Sequence, residues 1–421
     1  MTRTRREWLS ICLGGAIAAR ASPSLSASQA PGPGGGGPQT AAEPLKDRIA
    51  RVVREYGDQG VHRTATDVDA RSGDWLAAEV RAAKLEPARE PFDIDRITIA
   101  RAELIADGGS RTGIPLFDGG FTSGAGVSGR LGALGSDVEI GLADLVPNQA
   151  ATGALGDARR AGRYKAIVAL TRGGRPGLCP SNADQFLYPF GPPVLQLSSE
   201  DSAWVTSLAL RGPTVHLHAQ VARARSSAFN ITTTLSGTDR TLPPLVVMTP
   251  RSGWWACASE RGGGIVCWLE LMRTLRTPAL RRDVHFVASS GHELGHLGIN
   301  AYIARRPNFV ADAVGWMHLG ANLGAATGVG STIQSSDDER EAILAREMAA
   351  ASLPVTGRAP RGRIPNGEAE AVHRGGGRYV SVIGRSALFH HPDDRGPEMV
   401  DVAALAALVD ALSKVARTLA A

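Results

Sequence analysis

At 421 residues the chain is too long for one ordinary core, and on a prior of roughly 150 residues per domain it holds two or three. Its 43% hydrophobic content is that of a globular protein, and 50 glycines with 25 prolines imply many loops. The net charge of +5 is almost all arginine, since lysine occurs only four times; it is spread along the chain with no aromatic-basic stripe, which argues against a nucleic-acid partner.

The first residues, TRTRREWLSICLGGAIAARASPSLSASQA, place paired Arg5 and Arg6 before a short apolar run and then small residues. This is the layout of a signal peptide of twin-arginine type, spanning 1–27, with cleavage expected after Ala21 or Ala27. The apolar run is too short to span a bilayer as a helix, so no stable membrane span is expected. A lipoprotein reading through Cys12 is disfavoured by bulky Ile11 before it. Export would place the mature chain in the periplasm or outside the cell, where Cys179, Cys257 and Cys267 could form at most one disulfide, of unspecified pairing. APGPGGGGPQTAAEP then reads as a flexible linker over 28–44.

Past the linker, LKDRIARVVREYGDQG reads as an amphipathic helix with Leu45, Ile49, Val52 and Val53 on one face. RSGDWLAAEVRAAKLEP is a second helix and FDIDRITIARAELIAD a strand; 45–115 form the first part of the main domain. The texture changes over 116–223, where VSGRLGAL, YKAIVALTRGG, PVLQLS and TVHLHAQV are short β-like runs among glycine-rich turns and the helix-like ATGALGDARRAG. This is a small inserted α/β or β-rich module. From 224 to 421 strands and helices alternate: SAFNITTTLSG and PLVVMTP, GGGIVCWLELMRTLR, DVHFVASS, ELGHLGINAYIARR, AVGWMHLG, REAILAREMAAASL, YVSVIG, and the last helix VDVAALAALVDALSKVARTLAA. That alternation predicts an α/β fold: a mostly parallel twisted sheet with helices on both faces. Such sheets carry their chemistry at the carboxyl ends of the strands.

Metal-capable residues recur just past those ends. Glu260 follows PLVVMTP, His292 and Glu293 follow DVHFVASS, His318 lies in AVGWMHLG, and His390 and His391 follow YVSVIG. Each also has a plain structural explanation: Glu260 beside Arg261 as a surface ion pair, His318 as a core histidine. His62, His216, His218, His285 and His373 read as structural or solvated. SGHELGHLG spells H-E-x-x-H, which on one helical face would bind a single zinc through His292 and His296 with Glu293 as base. The preceding strand and Ser-Ser-Gly turn put His292 at a strand-to-helix junction, the wrong setting for that motif.

The order of these blocks resembles metallopeptidase family twenty-eight, the co-catalytic two-zinc aminopeptidases and their cyclase relatives, over most of the mature chain. The blocks that carry it are FNITTTLSGTDRTLPPLVVMTP, SERGGGIVCWLELMR, DVHFVASSGHELGHLGINAYI, AVGWMHLG, NGEAEAVHRGGGRYVSVIG and FHHPDDRGPEMVD, with 116–223 similar to the protease-associated module of that family. The resemblance implies a zinc aminopeptidase-like fold. It places the first ligand histidine near Pro250 or Arg251, where none stands, the bridging aspartate on Glu260, the base on His292, and a metal-binding glutamate on Glu293. It further places a metal-binding aspartate on His318 and the last ligand histidine on His390. A metal shell of Glu260, Glu293 and His390 with His292 as base is one arrangement; a nitrogen-rich shell of His292, His296 and His318 with Glu260 as fourth ligand is another. Trp254 and Trp255 would line a substrate pocket or pack beneath the inserted module.

The expected function is therefore an exported hydrolase of peptide or aminoacyl-amide bonds using zinc, one ion rather than two, with Glu293 and His292 in the chemistry. The alternatives are a non-catalytic binding or scaffold protein of the same fold, motivated by the missing ligand and base, and a single-zinc aminoacyl cyclase. Oligomeric state and side-chain preference are not readable.

Overall fold

Four apolar runs lie side by side and parallel at the centre of the sheet: Val284–Ser289, Leu245–Pro250, Gly315–Leu319 and Tyr379–Gly384, in that order. Every residue of Leu245–Pro250 and Gly315–Leu319 is buried, as expected of parallel strands covered on both faces, which read as continuous apolar runs rather than as alternation. The computed structural model describes residues 43–421, and these make one compact unit; the leader, and the linker up to residue 42, lie outside the described residues.

Beyond Tyr379–Gly384 the sheet continues with Ser331–Ser335, antiparallel, and then Val355–Arg358. Neither of these two strands stands out in the sequence, since STIQS and VTGR carry too little apolar patterning. On the other side Val284–Ser289 pairs antiparallel with Thr214–Leu235, which pairs in turn with Ala88–Ala106. These two strands, 22 and 19 residues long, run on into a second sheet with one register shift between Ile99 and Arg101. Val127–Ala133 attaches to Thr214–Leu235, and Ile140–Leu145, Ala166–Thr171 and Val194–Leu197 follow in parallel. Leu131, Ile140, Val168, Leu195 and Leu217 pack there into a core separate from that of the main sheet. The strand Thr214–Leu235 passes residue 223 without a break, so the two sheets share it.

Packing on the main sheet is dominated by the helix Gly262–Leu275, in which Ile265, Val266, Trp268, Leu269 and Met272 are essentially inaccessible. Burying each such side chain contributes roughly 1.5–3 kcal/mol. Trp268 also donates its indole N–H to the Val247 carbonyl at 3.2 Å, which fixes the helix over the strand. Leu45–Gly57, with Ile49, Val52, Val53 and Tyr56 inward, and the last helix Val402–Leu419 pack beside it. Thr66 caps Asp67–Ala82 by accepting from the Asp69 N–H, and Asp67 and Asp69 in its first turn suit the positive end of the helix dipole. Cys179, Cys257 and Cys267 are buried and free. Among the described residues no helix is long and apolar enough to cross a membrane.

Candidate active site

The stretch that spells H-E-x-x-H does not form one helix. His292–Leu294 is a single tight turn, Gly295 and His296 are left-handed (φ 77° and 59°), and the helix begins only at Leu297. His296 thus stands before the helix, not one turn into it, and cannot share a helical face with His292. Gly291 is also left-handed, φ 83°, and a Cβ there would meet that of Leu297 at 2.8 Å, so the turn requires glycine. Ser252 organises it: its hydroxyl accepts from the N–H groups of Gly291 (2.9 Å) and His292 (3.2 Å) and donates to Glu293 Oε2 at 2.7 Å.

Glu293 is consequently turned away from the other candidate ligands. Its second oxygen accepts the Thr64 N–H at 2.7 Å, and it lines a water-sized cavity of about 20 Å³ with Arg63, Thr66, Arg96 and Trp254. Burial raises its carboxyl above the usual range against the pull of those hydrogen bonds. Where the first ligand histidine was expected, Arg251 instead forms a buried ion pair with Asp69 at 2.7 Å, tying the strand end to the second helix.

Glu260 sits just ahead of the helix Gly262–Leu275, and the pair it makes with Arg261 (2.7 Å) is buried, not on the surface. Its other oxygen accepts the His390 N–H at 3.2 Å, while His390 Nε2 lies 3.5 Å from Oε1. Burial opposes ionisation of Glu260, but Arg261, His390 and His292 outweigh it and hold the carboxyl low. His390 donates its Nδ1–H to the Pro180 carbonyl, 2.6 Å away, and burial lowers its basicity. His391 donates Nε2–H to the Pro176 carbonyl at 2.8 Å, so both histidines hold the loop between the strands Ala166–Thr171 and Val194–Leu197.

The other half of the site turns on Glu368, which the sequence reading did not single out. Glu368 Oε1 receives His292 Nδ1 at 2.8 Å and Oε2 receives His318 Nε2 at 3.3 Å. His318 Nδ1 meets the Ser381 hydroxyl at 2.8 Å on the neighbouring strand, where the two residues are register partners. Burial works against the Glu368 charge, but His292 and His318 together hold the carboxyl well below the ordinary value. His292 is pushed down to about 4, first by burial and then by Arg261. It is therefore neutral at pH 7, with its N–H on Nδ1 toward Glu368 and Nε2 left as an acceptor. Gly367 makes this proximity possible: it is left-handed, φ 69°, and a Cβ there would sit 2.9 Å from His318 Cε1.

His292 and His318 open onto a cleft of about 640 Å³ whose far wall, Pro147, Asn148, Gln149 and Thr152, comes from the loop after the strand Ile140–Leu145 of the second sheet. Trp254 and Trp255 do not line this cleft. Trp254 is buried, edge-on to Phe117 at 5.3 Å and bonded to Asn182 Oδ1 at 3.1 Å, and Trp255 donates to the His390 carbonyl at 2.9 Å.

These residues do not fit a zinc ion. Among the described residues no three His, Cys, Asp or Glu side chains are grouped to hold a metal. The expected shell of Glu260, Glu293 and His390 is broken because both Glu293 oxygens are engaged elsewhere and a guanidinium already pairs with Glu260. The shell built from His292, His296 and His318 is broken because Glu368 draws on two of the rings, although the His296 ring stands 5.0 Å from that of His292.

No family model and no curated protein matches the sequence. Solved structures do match: a zinc aminopeptidase from Bacillus subtilis at TM-score 0.71 and 16% identity, over 88% of this chain and 93% of that one. A peptidase M28 precursor from Shewanella amazonensis matches at TM-score 0.69 and 14% identity, over 89% and 96%. An aminopeptidase from Aneurinibacillus sp. strain AM-1 gives 0.66 and 14%, over 88% and 92%. The likeness spans nearly the whole of each relative, and the chain has an aminopeptidase-like α/β fold.

Proposed function

We propose that this chain is a binding protein on the aminopeptidase scaffold, one that holds a peptide or aminoacyl-amide ligand in the cleft without a catalytic zinc. The observation that carries this reading is Arg261, whose fixed charge pairs with Glu260 in the buried interior where the resemblance puts a bridging metal ligand. Its guanidinium stays protonated at any physiological pH, so it competes permanently with a divalent cation for that carboxylate. The ligand class is supported by the three fold relatives, described as aminopeptidases or a peptidase. The test is zinc titration of the purified protein by calorimetry alongside turnover of an aminoacyl-amide and dipeptide panel. Thermal shifts with panel members, no stoichiometric zinc and no zinc-dependent turnover are expected. Zinc-dependent turnover abolished by Glu293→Ala and His390→Ala would overturn the reading and restore a zinc hydrolase.

A second reading is favoured by the 2.8 Å contact between His292 and Glu368. A histidine oriented by a carboxylate, with its free nitrogen on a cleft, is the arrangement of a general base acting on water. Chelator-resistant hydrolysis that loses kcat in both His292→Gln and Glu368→Gln would establish it. Product mass separates hydrolysis, which adds water, from cyclisation, which expels a leaving group.

Export is proposed from Arg5, Arg6 and the apolar run after them. A reporter fused after residue 44 should reach the periplasm, and the paired substitutions Arg5→Lys and Arg6→Lys should hold it in the cytoplasm.

A further inference from the structure

The cleft carries a charge pattern that the fold does not require. Two arginines line it, Arg363 and Arg385, and no aspartate or glutamate does. Among the described residues neither guanidinium makes an ion pair or a side-chain hydrogen bond, whereas the exposed arginines around them, Arg358, Arg361 and Arg395, all pair with acids. The remaining polar lining is neutral: Asn148, Gln149 and Thr152 from the loop after Ile140–Leu145, Asn322, Asn366 and Ser386 from the main domain. The nearest acid to the histidine floor, Glu368, is 1% exposed and has both oxygens occupied by His292 and His318. A concave surface lined by one sign of charge concentrates the opposite ion, and the planar fork of arginine suits carboxylate or phosphate oxygens in particular.

The floor of the same cleft adds a second requirement. With Nδ1–H committed to Glu368, His292 presents Nε2 as a hydrogen-bond acceptor, and no protein donor meets it. A ligand that satisfies both ends has an anionic oxygen group near the arginines and an N–H near His292.

We propose that the cleft selects small carboxylates carrying an amide N–H, such as acylated acidic amino acids or short acidic peptides, with Arg363 and Arg385 holding the carboxylate and His292 accepting from the amide. This rests on the reading of the cleft as a binding site for peptide-like ligands and names which of them it takes. Phosphate shares the recognition chemistry and is therefore one arm of the test.

The experiment is calorimetric titration of the full exported chain at low and at physiological salt. The probes are N-acetylglutamate, its uncharged diamide, 2-acetoxyglutarate, which replaces the amide N–H by an ester oxygen, and inorganic phosphate. N-acetylglutamate should bind at least about tenfold tighter than the diamide and about tenfold tighter than the ester. The first advantage should shrink with added salt, because charge attraction is screened over about 8–10 Å. It should disappear in the double variant Arg363→Gln, Arg385→Gln, whose melting temperature should match that of the parent because neither side chain is paired. Equal affinity for acid and diamide would overturn the anionic assignment while leaving peptide binding in place. Equal affinity for acid and ester would overturn the role given to His292. Phosphate displacing N-acetylglutamate would overturn the choice of carboxylate. If neither the acid, the diamide nor any member of the neutral dipeptide panel binds, this inference and the proposed function fall together.

Discussion

The two halves of the site use the same kind of position, the carboxyl ends of neighbouring parallel strands, to opposite ends. Around Glu260, Arg261 and His390 the charges are paired inside the protein and sealed from solvent, while Glu260 Oε1, His390 Nε2 and both terminal nitrogens of Arg261 make no hydrogen bond. Around His292, Glu368 and His318 the pairing is equally complete on one side, but the rings face a cleft. The first half is an internal plug and the second an exposed floor. The contrast shows that a buried carboxylate at a strand end can be neutralised by the guanidinium next to it in sequence, while the neighbouring strand ends stay open to solvent.

That contrast can be broken most forcibly at Arg261. Arg261→Ala leaves Glu260 as a buried uncompensated charge and should cost about 3–5 kcal/mol in denaturant unfolding, whereas Arg261→Met combined with Glu260→Gln should recover most of the loss. A loss of under about 1 kcal/mol would mean that the plug is not ionic. On the open side, Glu368→Gln presents an amide N–H₂ to one of two rings that each need an acceptor. A cost of about 2–3 kcal/mol is expected, with an altered His292 ring signal in NMR.

The pH dependence sharpens the same division. His292 titrates at about 4 in the folded chain and near ~6.5 when unfolded, so below ~6.5 the unfolded chain takes up a proton that the native state refuses. Stability is therefore lost as pH falls, by about 2 kcal/mol for this group at pH 5. His62, buried and pushed down to about 3, acts in the same sense, while Asp394, raised by burial to about 6, is protonated earlier in the native state and offsets part of the loss. Comparing the parent with His292→Gln isolates the group: the variant should lose about 2 kcal/mol less between pH 7 and pH 5. The smallest effect is expected at Glu293→Gln, under about 1 kcal/mol, since an amide oxygen can still accept the Thr64 N–H. Loss of ligand binding in that variant would place Glu293 in the site after all.

The strands and helices of the main domain were legible because buried parallel strands are continuous apolar runs and helices such as Gly262–Leu275 announce their length. The side-chain network was less so. Glu368 lies in N-G-E-A-E, where nothing separates it from half-buried Glu370; only the left-handed turn at Gly367 brings it under two histidines. Arg261 was visible beside Glu260, but sequence carries no sign of whether such a pair faces solvent or the interior. His296 was misplaced by the apparent motif, because a positive φ at a histidine cannot be read from its neighbours. Local pattern therefore set the scaffold, and contacts between residues far apart in the chain set the chemistry.

The strand Thr214–Leu235 belongs to both sheets, and Ala88–Ala106 is laddered along it for nearly its whole length. A hinge needs a few residues able to change their torsions freely, and here the ladder is continuous except at the bulge between Ile99 and Arg101, which lies where one sheet passes into the other. The wall bearing Asn148 and Gln149 is therefore carried on a long ladder whose one point of give is that bulge. For the binding proposed above, the ladder sets the gap a guest meets on arrival, and the bulge is where that gap can be adjusted.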